Sequence, residues 1–125
     1  TDDAHFHPGG HDSLQNFVMV KAEENETDAL LEALKQGHFY AGQGPQIHDI
    51  QVIPGEKVVL KCSPVSAVIM RNTLPGPISP GRTTAGSSNN ARQIGSGLTE
   101  VALSLAKFKG DWARIIIKDD LGRRA

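Results

Sequence analysis

Asp3, His5 and His7 stand two residues apart along the chain. On an extended strand alternate residues project from one face, so this spacing presents a carboxylate and two imidazoles side by side. Mixed oxygen and nitrogen donors of this kind suit a divalent cation, with Zn, Mn or Fe the metals that accept them. Two or three donors do not complete a coordination shell, and His11 and Asp12 are the nearest further ligands. Short D-x-H spacings also arise by chance, and the alternative is a polar terminus whose histidines bind nothing.

The remaining chemical signals have plainer readings. Cys62 has no neighbouring histidine to activate it and lies in an apolar alternating stretch, which predicts a buried structural thiol. Gly42-Gln43-Gly44-Pro45 lacks the pattern of a phosphate loop and does not open a helix, so it reads as a turn. Asn25-Glu26-Thr27 matches a glycosylation sequon, but the same residue types cap helices, and capping is the preferred reading. His38 and His48 receive no role. Phe108, Trp112 and Arg114 could form a stacking platform, although one Trp and one Tyr favour core packing instead. Arg71, Arg82 and Arg92 are spread widely along the chain.

Positioning any of these groups requires a fold, and the composition permits one. The chain has 125 residues, room for one core and perhaps an appendage. Leu, Ile, Val and Phe make up about a quarter of it, above the roughly 20% below which disorder is expected. Its formal net charge of −1 supplies no global attraction for nucleic acid or anionic lipid, so neither partner is predicted. A single cysteine excludes an internal disulfide and fits a reducing, cytoplasmic setting. No apolar run approaches a membrane span, and no secretory leader is evident. A start without Met and an end directly after a strand and turn read as a fragment of something longer.

Val18 to Ala22 reads as a strand. A helix is expected from about Thr27, capped by Thr27 or Asn25, with Ala29, Leu30, Ala33 and Leu34 as its apolar stripe and Gly37 as its stop. A boundary falls near residue 45. Strands follow at Ile47 to Val52, Val58 to Cys62 and Val65 to Arg71, with a turn at Pro54-Gly55-Glu56-Lys57. Asn72 to Ser96 is rich in Pro, Gly, Ser, Thr and Asn, which predicts a long exposed or flexible insert. Thr99 to Phe108 and a buried Trp112 to Lys118 complete the strands, and Asp119-Asp120-Leu121-Gly122 turns the last of them toward a partner.

Five segments in order carry a resemblance: Asp2-Asp3-Ala4-His5-Phe6; Phe17-Val18-Met19-Val20-Lys21-Ala22; Ala33-Leu34-Lys35-Gln36-Gly37-His38-Phe39-Tyr40 with Gly44-Pro45; Cys62-Ser63-Pro64; and Trp112 through Arg123. Together they resemble the carboxy-terminal part of PHP-domain metal-dependent phosphoesterases. The resemblance implies an α+β fragment in which residues 1–45 hold the last strand and helix of a distorted (β/α)7 barrel and residues 46–125 form a small antiparallel β-sandwich with the 72–96 insert. It implies Asp3 and His5 as ligands of Mn, Zn or Fe, a small phosphate ester as substrate, and hydrolysis by metal-activated water. The family's early H-x-H pair and further ligands would lie upstream, so the fragment alone is expected to be inactive. The rival expectation is a non-catalytic β-sandwich that binds a partner or serves structure.

Overall fold

The computed structural model describes residue 8, residues 15–74, 78–79, 82–83, 86 and 88–125. Asp3 and His5, with His7, His11 and Asp12, lie outside the described residues. The described chain is mostly strand: β1 (Phe17–Val20), the single helix α1 (Thr27–Lys35), β2 (Phe39–Gly42), β3 (Ile47–Ile53), β4 (Lys57–Thr73), β5 (Ile78–Ser79), β6 (Arg82–Thr83), β7 (Ser88–Ser104) and β8 (Arg114–Lys118). No helix among the described residues is long and apolar enough to cross a membrane.

The 17-residue β4 is the spine of a four-stranded antiparallel sheet. Along one edge it pairs with β7 over almost its whole length. Along the other it pairs first with β3, at Lys57 to Cys62, and then with β8, at Ala67 to Arg71. Separate strands expected at Val58 to Cys62 and Val65 to Arg71 are thus one strand. Pro64 lies inside it because the ladder breaks there: the β7 register is irregular between Lys61 and Val65 and again between Val65 and Ala67. A proline has no N–H to give to a ladder and belongs at such a bulge. In the second irregularity, across from Ser66, Gly97 has φ +62, which bends β7 where a side-chained residue would be strained.

The bend folds one sheet so that both limbs share a core, the geometry of a corner made by strands that bend through bulges. Val58, Leu60 and Cys62 before the corner, and Val68 and Met70 after it, are buried with Val65, Val101, Leu103 and Ile117 in one cluster. The antiparallel β-rich part is present, but it is a single folded sheet where two stacked sheets were expected. Its polar exception is Asn72, buried at the far end of β4. Its amide donates to the Lys109 carbonyl (2.6 Å) and its oxygen accepts from the Asn89 amide (3.1 Å), so no desolvated group is left unpaired.

Several boundaries differ from expectation. Asn72, Thr73 and Ser88 to Ser96 are strand: buried Asn72 is satisfied by its side-chain hydrogen bonds, and the other polar residues suit the exposed flank of a ladder, with a partner on one side and water on the other. The strand expected over Thr99 to Phe108 stops at Ser104, and Leu105 and Phe108 continue as a turn, with the Phe108 N–H donating to the Leu105 carbonyl (2.9 Å). Trp112 precedes β8 and is 54% exposed, so it is not a core residue, whereas Phe108 does pack on the core.

Residues 17–42 form a separate two-stranded sheet, with β1 antiparallel to β2 and α1 between them in sequence. Neighbouring strands of a (β/α) barrel run parallel, and no barrel is present among the described residues. Helix α1 keeps its expected span and ends in a Schellman motif: His38 N–H donates to the Ala33 carbonyl (2.8 Å) and Gly37 N–H to that of Leu34 (3.1 Å). Its N-cap is Glu26, which makes no side-chain capping bond, so neither Asn25 nor Thr27 fills that role. Asp28 in the first turn and Lys35 in the last complement the helix dipole.

The chain end ties the two sheets together. After β8 it reverses through Asp119 to Gly122, and Ala125 exchanges backbone hydrogen bonds with Ile117 (2.9 and 3.1 Å). Gln43 N–H donates to the Arg124 carbonyl (2.8 Å), and a Cβ at Gly44 would come within 2.6 Å of the Arg123 side chain, so a side chain there would have to displace the guanidinium that holds Asp119. Asp119 organises the reversal. Its carboxylate accepts the Leu121 and Arg123 N–H groups (3.0 and 2.9 Å) and the Arg123 Nε (2.7 Å).

Burial works against the Asp119 charge, but the hydrogen bonds and charge of Arg123 outweigh it and hold the carboxyl below its ordinary range. A depressed folded value stabilises fully above the unfolded carboxyl's value of about 3.9 and is lost as pH falls from there through the folded value. Thermal unfolding followed against pH is expected to show a steeper acid loss in the native protein than in Asp119→Asn. Superimposable acid limbs would refute this role for Asp119.

Candidate functional site

A cavity of about 430 Å³ forms an open groove between the β1–β2 ribbon and β3. Register explains its walls. Met19 and Tyr40 are directly opposite on the ribbon and share one face, and the Lys21 N–H donates to the His38 carbonyl (2.9 Å) at the next step. Tyr40 reaches across to β3, where its hydroxyl accepts the Ile47 N–H (3.0 Å) and fixes the width of the groove. Ile47 and Ile50 line the opposite wall.

Lys21, His38, His48 and Asp49 give this apolar groove its polar groups. His38 and His48, to which the sequence assigned no role, therefore line one cavity. Its volume is in the range of small-molecule sites. Among the described residues, no three His, Cys, Asp or Glu side chains come together as a metal site. The Tyr40 hydroxyl is engaged with the backbone.

The apolar lining extends beyond the cavity. Ile50 and Val52 pair with Leu60 and Val58, so they continue the core face onto β3, yet they are 44% and 60% exposed. The outer edge of β3 pairs with no described strand.

The connector from β2 to β3 touches other segments that carry the family resemblance. Gln46 N–H donates to the Ser63 hydroxyl (2.8 Å), and Ser63 N–H to the Gln46 carbonyl (2.9 Å). With the Gln43–Arg124 bond and the Gly44–Arg123 contact, residues 43–46, Ser63 and the chain end meet at one junction. Cys62, next to it, is buried with its thiol toward the Leu98 carbonyl (3.7 Å), and burial pushes its pKa up. That leaves little thiolate at neutral pH.

Comparison of the chain with protein-family models, with curated proteins and with solved structures finds no match in any of the three.

A buried thiol with a raised pKa is expected to react with a maleimide or an aromatic disulfide only when the sheet opens. At pH 7 labelling of Cys62 in the folded protein should be at least about a hundredfold slower than in denaturant. Comparable rates would show that Cys62 is accessible and that the β4 corner is open.

Proposed function

We propose that this chain is the carboxy-terminal part of a metal-dependent phosphoesterase of the PHP type, with Asp3 and His5 as ligands of Mn, Zn or Fe. The observation that supports the reading is the convergence of the segments that carry the resemblance. Gly44, Ser63 and Arg123, from three of the five segments and far apart in sequence, sit at a common junction. In this reading a bound metal lowers the pKa of a water and neutralises phosphoryl oxygens of a small phosphate ester. Asp3 contributes a carboxylate oxygen, and His5 contributes a neutral imidazole that stops binding when it protonates. The family's other ligands are not among these residues, so in this reading the 125 residues do not hydrolyse ester by themselves. A cytoplasmic location belongs to the same reading and rests on the single, unpaired Cys62.

The β-rich part then serves as a non-catalytic module.

Elemental analysis and phosphatase assays on the protein expressed from its whole native coding region test the reading. It expects bound Mn, Zn or Fe, turnover of p-nitrophenyl phosphate, and a loss of about two orders of magnitude in both Asp3→Ala and His5→Ala. Metal content that ignores both substitutions would overturn it.

A further inference from the structure

The β4 register brings together five cations that are scattered in sequence. Arg71 stands directly opposite Arg114 on β8 and Asn90 on β7. One step along the same face, Ile69 is flanked by Ile116 and Arg92, and one further step Ala67 is flanked by Lys118 and Ile94, with Arg124 bridged to Lys118. Residues that pair directly share a face, so Arg71, Arg92, Arg114, Lys118 and Arg124 all lie on the side of the sheet away from Val68, Met70 and Ile117. The four arginines are exposed and Lys118 is half-buried.

No Asp or Glu occupies any of these ladder positions, and none of the five cations has an ion-pair partner among the described residues. Like charges directly opposite on a sheet destabilise it. In a chain of net charge −1, an arginine pair face to face, with Arg92 and Lys118 in the rows that follow on the same face, is a local field that no acid among the described residues pairs with.

Three features describe the anion that would. Successive rows on one face are about 7 Å apart along the strands, so the cations form a ladder and do not converge on one point, which suits a repeating anion better than a single phosphate. Four of the five are arginines, whose planar forks hold phosphate bidentately and stack on bases. Trp112, exposed two residues before Arg114, supplies an aromatic face.

We propose that this outer face of β4, β7 and β8 binds single-stranded nucleic acid, with the arginine ladder on the phosphates and Trp112 stacking on a base. Such surfaces combine cationic tracks with aromatic platforms and tolerate many sequences. The assignment is independent of the metal reading, because it uses no residue before Arg71.

Fluorescence anisotropy with a labelled oligothymidylate of about twenty nucleotides, longer than one such site, tests it on the protein as expressed. Binding is expected at about 50 mM KCl and should weaken steeply toward about 200 mM. The double variant Arg71→Gln/Arg114→Gln should bind at least about fivefold more weakly and lower the salt slope by about 1.4, about 0.7 for each lost phosphate contact. Trp112→Ala should weaken binding at least about fivefold with little change in slope. These residues are exposed, so the variants fold and melt no lower than the native protein, and Lys61→Gln, an exposed cation on the other limb, should bind as the native protein does. No binding at low salt, binding indifferent to all three substitutions, or capture by phosphatidylserine vesicles in preference to the oligonucleotide would each overturn the proposal.

Discussion

Everything described here depends on one strand that changes partners. β4 pairs with β3 and then β8 along one edge while β7 follows it along the other, and it can do so only because the ladder is interrupted around Pro64. On the β7 side three β4 residues first face one, and then one faces three, so the register before the corner is the same as after it. The two limbs can therefore fold onto a shared core and keep their alternation of inward and outward side chains.

That restored alternation has consequences on both faces. Inward, Leu60, Val65, Val68, Met70 and Ile117 are almost completely buried, and removal of such side chains from water is the dominant stabilising term, about 1.5–3 kcal/mol for each. Outward, the same alternation puts Arg71, Arg92, Arg114 and Lys118 on one face of three strands. A slip of one residue would exchange the two faces, so core and cationic surface are consequences of a single register. The junction at Gly44 and Arg123 adds a second constraint, because it sets the β1–β2 ribbon against β3 and so shapes the groove between them.

Local signals were legible where the chemistry is local. Helix α1 could be read from its apolar stripe and Gly37, the Pro54-Gly55 turn from its residues, and the buried Cys62 from its apolar surroundings. The fold class could be read only coarsely, as antiparallel β with one helix. Strand continuity through Pro64 could not, because a proline in an apolar run normally argues for an interruption. The polar run from Ser88 to Ser96 looked like an insert, because a flank exposed to water carries no apolar alternation. The cationic face was invisible for a deeper reason: Arg71, Arg92 and Arg114 are distant in sequence, and net charge averages away a field that only pairing assembles. His38 and His48 were likewise joined by the Tyr40 contact and not by spacing. Asp3 and His5, legible as a donor pair from sequence, stand outside the described residues, and their role rests on the resemblance.

The most direct test of the account is the register of β4 itself, read from cross-strand nuclear Overhauser contacts between backbone protons in the isotope-labelled protein. The account expects Ile69 to be the neighbour of both Arg92 and Ile116, and Arg71 of both Asn90 and Arg114. Contacts displaced by one residue on either side, or a β4 that ends at Pro64, would contradict it and remove the core and the cationic face together.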